Sequence, residues 1–334
     1  MRVGVLGTGR MGAFRAEALA AHPEVKQVVV GSHDPERARA VAEPLGAESG
    51  TIDDVLGAEL DALVISTVTR EHPDQLIRGA ERALPILCEK PISVEVDDTK
   101  RTIAAIDAAG IDVQIAFMRR FDAGFRRARE LVSDGSLGTL YSLRMCAHDH
   151  EPAPERYIPT SGGIFRDLHV HDYDMARWLT GLEVDEVYAT GSVRKWERFG
   201  QFDDVDMAAM ILALEGGVQV VVSGARHDPV GYDFRAELFG SDDSIAVGVD
   251  DRTPIRSVQP GVEPPPGKPY FGFLDRFHDA FVAETAAFVD LVQGRGPNHC
   301  PPDEALKALL VAEACDRSWR EHRAVRIAEI VDGA

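Results

Sequence analysis

Cysteine is scarce in this sequence and is not arranged for metal or disulfide chemistry. The 334-residue chain has four cysteines, none of them in a CxxC pair: Cys88, Cys146, Cys300 and Cys315. Isolated cysteines of this kind are typical of buried thiols in a reducing compartment. The sequence therefore predicts neither a disulfide framework nor a cysteine metal centre, and we expect no metal.

Long apolar runs and clusters of positive charge are also absent. No apolar stretch approaches the length of a membrane-spanning helix, and a strand pattern begins at Arg2, which leaves no room for a signal peptide. The formal net charge is −19, without a basic stripe that would pair with nucleic acid or an anionic membrane. We therefore expect a cytoplasmic protein that binds neither.

Lysine is rare, which makes the context of each lysine informative. The six lysines are few among 36 basic residues. Lys90 follows a short buried strand and precedes Pro91, so it lies at the carboxyl end of that strand, where open α/β sheets bind their ligands. A cation there can hydrogen-bond a substrate hydroxyl and ease the loss of its proton. The alternative interpretation is an ordinary exposed lysine.

The first 118 residues alternate short strands with helices. Apolar runs predict strands at 2–6, 25–30, 61–67, 86–88 and 113–117, and amphipathic patterns predict helices at 10–21, 35–45, 72–83 and 94–109. Strands that are apolar on both faces are typical of a parallel sheet covered by helices on each side. The sequence predicts a Rossmann doubly wound parallel sheet in residues 1–118.

The remainder, residues 119–334, has a different pattern. Long strands are predicted at 139–148, 184–193, 205–214, 218–226 and 232–239, with helices at 123–134, 164–180, 275–293 and 303–321. This order predicts an α+β domain with a large, mostly antiparallel open sheet and helices on one face. Because no further helices remain for the other face, we expect a second subunit to cover it.

A glycine-rich loop opens the chain. Gly7-Thr8-Gly9-Arg10-Met11-Gly12 is a GxGxxG motif placed directly after a strand and at the start of a helix. The glycines permit a tight turn and close approach of the backbone to a pyrophosphate, which the helix N-terminus then attracts. The motif predicts a dinucleotide site; the alternative is a glycine-rich turn without a ligand.

The end of the second strand indicates which nicotinamide is used. NAD-binding proteins usually place an acid there for the ribose 2′-hydroxyl, but Ser32 stands at that position. Asp34 precedes Pro35, which predicts a helix N-cap with its carboxylate already engaged. Ser32 and His33, with Arg37 one helical turn later, favour a 2′-phosphate and therefore NADP(H) over NAD(H). The alternative is that Asp34 reaches the ribose. The candidate cofactor residues are Gly7, Thr8, Gly9, Arg10, Met11, Gly12, Ser32, His33, Arg37, Thr67, His72, Glu89 and Lys90.

A second group of candidate residues lies in the predicted helix 164–180. Asp167, His171 and Asp174 are spaced to share one side of that helix. A histidine is a natural general base near neutral pH, and a nearby acid can orient it and raise its basicity. His169 and Asp172 fall off this face and are interpreted as structural.

These motifs resemble the glucose–fructose oxidoreductase, inositol dehydrogenase and MocA family over essentially the full length. The resemblance is carried by the opening GTGRMG, by Glu89-Lys90-Pro91 and by the DxxxH of Asp167 and His171. It implies a Rossmann domain followed by a domain whose open sheet mediates oligomerisation, often to a tetramer. It also implies catalytic roles for Lys90, Asp167 and His171.

Within that family the chain is most similar to inositol 2-dehydrogenases. The runs FMRRFD at 117–122 and CAH at 146–148 match motifs of that group. The resemblance implies that six residues line a polyol pocket: Met118, Arg119, His150, Asp167, His171 and Tyr232. The chain departs from the pattern after CAH, where Asp149 and His150 replace an asparagine. Its Ser32-His33 strand end instead resembles the NADP-using sugar reductases of the family.

Three functions follow as hypotheses. The first is an oxidoreductase that moves a hydride between NAD(P) and a ring hydroxyl of an inositol or similar cyclic polyol. The second is an NADPH-dependent reductase of a keto- or anhydro-sugar, favoured by Ser32 and Arg37. The third is a non-catalytic nucleotide-sensing regulator, which has no need of Lys90, Asp167 and His171 together.

Overall fold

The chain divides into two units. The computed structural model describes residues 1–331 and 333. The first unit contains Met1–Met118 together with Phe281–Leu306, and the second contains Arg119–Ala280 and the chain from Lys307 onward. No helix among the described residues is long and apolar enough to cross a membrane.

A six-stranded, fully parallel sheet forms the centre of the first unit. Its strands are β1 (Arg2–Leu6), β2 (Gln27–Gly31), β3 (Glu48–Gly50), β4 (Ala62–Ile65), β5 (Ile86–Glu89) and β6 (Val113–Ala116), in the order β3-β2-β1-β4-β5-β6. Helices α1 (Arg10–Ala20), α2 (Pro35–Ala42), α3 (Ile52–Gly57), α4 (His72–Glu81) and α5 (Val96–Ala109) connect them. Strand order reverses between β1 and β4, which is the doubly wound arrangement that the alternating pattern predicts. The predicted fold class is confirmed for this unit.

Two small elements of this unit were not predicted. Strand β3 has only three residues, too few for a periodic pattern. Helix α3 has a local signal, because Thr51 and Asp54 form a reciprocal capping box at its start. The TxxD spacing of Thr51 and Asp54 therefore could have predicted this helix.

A segment distant in sequence completes the core of the first unit. Helix α11 (His278–Val292) contributes Phe288, Val289 and Leu291 to the apolar cluster that contains Val3 and Val5 of β1. The sequence prediction assigned all of residues 119–334 to the second domain, whereas Phe281–Leu306 groups with the first unit. The physical reason is that this part of α11 buries its apolar side chains against the parallel sheet.

The second unit is built on a seven-stranded sheet. Its strands are β7 (Leu140–His148), β8 (Val184–Ser192), β9 (Met207–Leu214), β10 (Gln219–Ala225), β11 (Asp233–Gly240), β12 (Ser244–Val247) and β13 (Val325–Arg326), in the order β12-β11-β7-β10-β9-β8-β13. The pairing is antiparallel except between β7 and β10. The remaining helices are α6 (Ala123–Ser133), α7 (Ile158–Ser161), α8 (Gly163–Asp167), α9 (Val170–Thr180), α10 (Phe273–Arg276), α12 (Pro302–Glu321) and α13 (Ile327–Val331). The predicted mostly antiparallel α+β domain is confirmed.

One face of this sheet is buried and the other is open. Strands β9 and β10 alternate buried and accessible residues, as strands do when only one face is packed. Tyr188, Ile211 and Val221 lie opposite one another in register on three adjacent strands. Each of the three is between 45% and 52% exposed. The open face therefore carries a row of large apolar side chains.

The predicted helix at 164–180 is broken, and this corrects the sequence interpretation. Residues Leu168 and His169 form a turn between α8 and α9, and the His169 amide donates to the Ile164 carbonyl, five residues back. The His169 ring packs on β10, where a Cβ on Gly224 would lie 1.9 Å from Nε2. Asp167 ends α8 and His171 belongs to α9. The two residues therefore do not share the face of one continuous helix.

Candidate active site

The glycine-rich loop has the geometry of a dinucleotide cradle. Gly7 has φ +105°, a conformation that favours glycine, and its amide donates to the Gly31 carbonyl at 2.8 Å. A Cβ on Gly12 would lie 2.1 Å from the Gly7 carbonyl oxygen. Glycine is therefore required at both positions, because the start of α1 lies directly against the preceding strand.

The start of α1 is open to a ligand. Gly9 is its N-cap residue, no side chain caps the helix, and its first turn contains no acidic residue. A Cβ on Gly9 would meet no atom within 4 Å. The first amides of a helix have no intrahelical acceptor and carry positive potential. The loop therefore fits the pyrophosphate of a dinucleotide.

The residues after β2 form a small polar network. The Ser32 hydroxyl accepts a hydrogen bond from the Asp34 amide at 3.2 Å, and Asp34 caps α2 by accepting from the Glu36 amide, as predicted. The exposed Arg37 lies 3.4 Å from Asp34 Oδ2. His33 Nε2 lies 2.9 Å from a carboxylate oxygen of Glu71 at the start of α4, so both predicted phosphate-binding side chains have acidic neighbours.

Thr67 and His72, both candidate cofactor residues, are engaged in local contacts. The Thr67 hydroxyl donates to Gln75 Oε1 at 2.7 Å. His72 is buried, with Nδ1 2.8 Å from the Pro91 carbonyl and Nε2 3.2 Å from the Thr67 carbonyl. Burial lowers the pKa of His72, although both carbonyls oppose this shift. His72 therefore connects the segment after β4 to the segment that contains Lys90.

Lys90 directly follows β5, at the carboxyl end of the parallel sheet. The preceding residue, Glu89, accepts two hydrogen bonds from the guanidinium of Arg15, at 3.0 and 2.8 Å. Lys90 itself is half-buried. Its position at a strand end agrees with the place where open α/β sheets bind ligands.

Asp167, in the second unit, is held by two side chains. The Tyr157 hydroxyl donates to Oδ1 at 2.9 Å, and Arg226 Nη1 donates to Oδ2 at 2.9 Å. The charge of Asp167 and burial both raise the pKa of Tyr157, so this phenol stays protonated as a donor. Arg226 directly follows β10, and Asp149 directly follows β7. Because these two strands are parallel, their ends place Arg226 Nη1 3.6 Å from Asp149 Oδ2.

His171 and Asp174 have different surroundings. His171 lies half-buried in the first turn of α9. Asp174 is fully buried and accepts two hydrogen bonds from Arg120, at 3.0 and 2.5 Å. Asp174 therefore serves the packing of α9. The prediction that one continuous helix carries Asp167 together with His171 and Asp174 is wrong, because Asp167 ends α8 and the other two belong to α9.

Arg119 and Tyr232, both candidate substrate residues, lie in a buried cluster. Arg119 Nη1 donates to Asp172 Oδ1 at 2.5 Å, and its guanidinium lies 4.7 Å from the centre of the Phe234 ring. Tyr232 stacks on Phe234 at 4.0 Å, and burial raises its pKa. His169 Nδ1 lies 2.8 Å from Asp172 Oδ2, consistent with the structural role predicted for both residues.

The other two candidate substrate residues belong to different units. Met118 is buried and is the last residue of the leading segment of the first unit. His150, in the second unit, has Nδ1 3.0 Å from the Asp228 carbonyl and its ring against Phe271 at 5.0 Å. His150 is half-buried and follows the end of β7.

One group of side chains has the residue types of a metal site, but an arginine already occupies one of its carboxylates. Donor atoms of His148, Asp228 and Asp233 lie within 4.8 Å of one another. Arg235, however, donates to both carboxylate oxygens of Asp233, at 2.7 and 3.1 Å. His148 Nε2 is 3.0 Å from the Ser223 hydroxyl. Because a cation would compete with Arg235, we interpret the group as an ion-pair network.

Sequence reasoning missed four residues that contact candidate residues or their partners. Arg15 is fully buried on α1, and Glu284 is fully buried on α11. Tyr157 and Arg226 bind Asp167 from segments without a motif. The one available signal was that Arg15 lies on the same face of α1 as the apolar Leu19, which indicates a buried arginine.

The fold and these residues define a class of protein. A parallel doubly wound sheet that begins with an open GxGxxG cradle is a dinucleotide-binding unit. The second unit contains Asp167 and His171, an acid and a histidine of the kind used in proton transfer. The chain is a nicotinamide-dependent oxidoreductase. Its sequence matches the profile of an oxidoreductase family with an NAD-binding Rossmann fold over residues 1–117, and that of the GFO/IDH/MocA C-terminal domain over residues 125–246. It belongs to the GFO/IDH/MocA family.

Named relatives share nearly the whole chain. A myo-inositol 2-dehydrogenase from Thermotoga maritima is 34% identical, with 99% of this chain and 100% of the relative covered. An inositol 2-dehydrogenase from Rhizobium meliloti is 33% identical, with 98% and 99% covered. A solved scyllo-inositol dehydrogenase from Lactobacillus casei, with bound NAD(H) and scyllo-inositol, has a TM-score of 0.87 and 25% identity over 98% of this chain and 99% of that chain.

Proposed function

We propose that this protein is an inositol dehydrogenase, which oxidises a ring hydroxyl of a cyclic polyol to a ketone. The observation that carries the proposal is the presence of Lys90, Asp167 and His171 together in a chain whose full-length relatives include named inositol 2-dehydrogenases. The clamping of Asp167 by Tyr157 and Arg226 supports it, because a fixed carboxylate is suited to orient a proton acceptor.

The proposed mechanism assigns one task to each residue. His171 accepts the proton of the reacting hydroxyl as general base. Lys90 hydrogen-bonds the same oxygen and stabilises the negative charge that develops on it. Asp167 orients His171 and Lys90 toward the reacting hydroxyl. When bound, the oxidised nicotinamide supplies the hydride acceptor for the carbinol carbon, and the residues of the glycine loop hold its pyrophosphate.

The test is turnover with defined polyols. Purified protein is mixed with NAD⁺ or NADP⁺ and with myo-inositol or scyllo-inositol, and the absorbance of the reduced nicotinamide is followed. We expect an initial rate proportional to enzyme concentration with at least one inositol. No rate with any inositol, together with NADPH oxidation by a keto-sugar, would establish the sugar reductase instead. Nucleotide binding without turnover of either class would favour the regulator.

We further propose that NADP(H) is the preferred cofactor. Ser32 offers no carboxylate to the ribose 2′-hydroxyl, and the Asp34 carboxylate caps α2. Arg37 is exposed in the first turn of that helix and is suited to pair with a 2′-phosphate. The contacts of Arg37 with Asp34 and of His33 with Glu71 compete with this role.

The cofactor proposal is tested by the ratio of kcat/KM for NADP⁺ to kcat/KM for NAD⁺. We expect Arg37→Ala to lower kcat/KM for NADP⁺ more than for NAD⁺. Arg39→Ala is the matched control, because Arg39 is exposed on the same helix and pairs with Glu36. Equal effects of Arg37→Ala on both cofactors, or a wild-type preference for NAD⁺, would contradict the proposal.

We also propose that a second copy of the chain covers the open face of the sheet. The row of Tyr188, Ile211 and Val221 exposes apolar surface, and its neighbours Arg144 and Glu237 form an ion pair 2.6 Å long in the same register row. A face with an apolar centre and both signs of charge beside it suits self-association about a two-fold axis. Light scattering should give a mass of two or four times 36.4 kDa.

A further inference from the structure

A buried arginine links three distant parts of the first unit. Arg15 of α1 is fully buried, and its Nε and Nη2 atoms donate to Glu89 Oε1, at 3.0 and 2.8 Å. Nη2 also donates to Glu284 Oε2. Nη1 donates to the Thr285 hydroxyl at 2.9 Å and to the Phe281 carbonyl at 3.2 Å. Three chain segments are therefore joined through one guanidinium.

These contacts fix the segment that carries Lys90. Glu89 is the last residue of β5, and Arg15 holds its side chain on one side of Lys90. On the other side, His72 Nδ1 lies 2.8 Å from the Pro91 carbonyl. Since the residues before and after Lys90 are both held, its backbone has little freedom to move.

The charges in this cluster do not balance. One guanidinium faces two carboxylates, those of Glu89 and Glu284, and Glu284 is fully buried. Burial raises the pKa of Glu284 to about 7, the Arg15 charge opposes this shift, and the charge of Glu89 adds to it. Within residues 1–331 and 333, Glu284 Oε1 has no hydrogen-bond partner, which leaves room for a proton on that oxygen.

We propose that Arg15 and Glu284 are positioning residues, which hold Glu89 and thereby place Lys90 for the reaction. The inference rests on the proposed role of Lys90. Arg15 is shared between two charged carboxylates when Glu284 is ionised; when Glu284 is protonated at Oε1, its Oε2 still accepts from Arg15 but Glu89 is the only anionic partner. The strength of the Arg15–Glu89 ion pair therefore depends on pH through Glu284, a residue that does not touch the substrate.

The kinetic test compares substitutions of two kinds. Glu284→Gln keeps an oxygen that accepts from Arg15, whereas Glu284→Leu removes it. We expect Glu284→Leu and Arg15→Lys to lower kcat by about tenfold or more, since small misplacement of a reacting group is costly. We expect Glu284→Gln to retain kcat within about twofold at pH 7, and the Kd for the nicotinamide dinucleotide to stay unchanged in all three.

Cofactor affinity separates this proposal from a simpler one. Arg15 lies on the helix that begins at the glycine loop, so a loss of dinucleotide binding in Arg15→Lys would mean that it supports the loop instead. Unchanged kcat in both Arg15→Lys and Glu284→Leu would also overturn the proposal. So would an equal loss of kcat in Glu284→Gln and Glu284→Leu.

A spectroscopic test does not depend on turnover. The chain has only six lysines, so reductive methylation with ¹³C gives few lysine resonances, and Lys90→Arg identifies the one from Lys90. We expect this resonance to show a step in chemical shift near pH 7 in the otherwise wild-type protein and none in Glu284→Gln. A step that persists in Glu284→Gln would overturn the coupling. If no polyol is turned over, the proposed function fails, while this comparison still decides whether the cluster acts on Lys90.

Discussion

At the scale of single residues, Lys90 is the first position to test. We expect Lys90→Met to abolish turnover, because the substrate hydroxyl loses its cationic hydrogen-bond donor, while the Kd for the nicotinamide dinucleotide stays nearly unchanged. The measurements are kcat by absorbance and Kd by quenching of intrinsic fluorescence. Lys100→Met, a lysine on α5, is the control and should retain full activity. A parallel loss of cofactor affinity in Lys90→Met would contradict the assigned role.

Two glycines of the cofactor loop should respond differently to the same substitution. Gly12→Ala places a Cβ against the Gly7 carbonyl and should destabilise the protein by about 1–3 kcal/mol. Gly9→Ala meets no protein atom and should cost only the small preference of an N-cap for glycine over alanine, so it should lower the melting temperature less than Gly12→Ala. It should raise the Kd for the dinucleotide because the backbone approaches the pyrophosphate there. Thermal unfolding and a binding titration measure the two effects. A Gly9→Ala protein with wild-type affinity would exclude a pyrophosphate at this loop.

The residues found from sequence and those missed differ in how far apart their partners lie. Gly7, Gly12 and Lys90 were predicted because a short motif surrounds each of them. Arg15 and Glu284 are 269 residues apart, and no local pattern relates them. Single-sequence reasoning does not detect such a pair, because the fold alone brings the two side chains together.

At the scale of secondary-structure elements, buried ion pairs should dominate the stability of α9. We expect Arg120→Ala to lower the free energy of unfolding by about 3–5 kcal/mol, because Asp174 would keep a buried charge without its main partner. Arg101→Ala is the control: its exposed pair with Asp98 should contribute less than about 1 kcal/mol. Urea unfolding measures both. Similar losses in the two variants would show that burial does not control the strength of these pairs.

The junction of α1, β5 and α11 should also depend on pH. The folded protein holds a proton on Glu284 up to about pH 7, whereas the unfolded chain releases it near pH 4.5. The contribution of this group to stability therefore falls as pH rises from 4.5 to 7, by about 3 kcal/mol in total. We expect Glu284→Gln to gain stability relative to wild type by this amount over that range, measured by urea unfolding at each pH. A difference that is independent of pH would contradict the protonation of Glu284 in the folded state.

The boundary between α8 and α9 shows that local sequence patterns do not always predict where a helix ends. The pattern at 164–180 predicts one helix, and the amphipathic spacing of Asp167 and His171 supports it. The break at Leu168 and His169 is set by packing of the His169 ring on Gly224 and by its bond to Asp172. The assignment of Asp167 and His171 as site residues stays a prediction, and the argument from one continuous helix does not support it.

At the scale of the whole molecule, the open face of the sheet makes a prediction about assembly. We expect Ile211→Asp combined with Val221→Asp to give a monomer, because both side chains lie in the exposed apolar row and a buried, unpaired charge is costly. Val258→Asp is the control, since Val258 is 94% exposed but outside the sheet. Sedimentation velocity measures the mass. A double variant that keeps the wild-type mass would place the subunit contact elsewhere.

The sequence by itself determined the class of fold, the glycine cradle and the candidate residues Lys90, Asp167 and His171. These follow from periodicity and from short motifs, which act over a few residues. The tertiary structure decided the assignment of Phe281–Leu306 to the first unit, the break before α9 and the clusters around Arg15 and Arg226. Each of these depends on burial, which brings distant apolar and charged groups together and is a property of the folded chain rather than of any short segment.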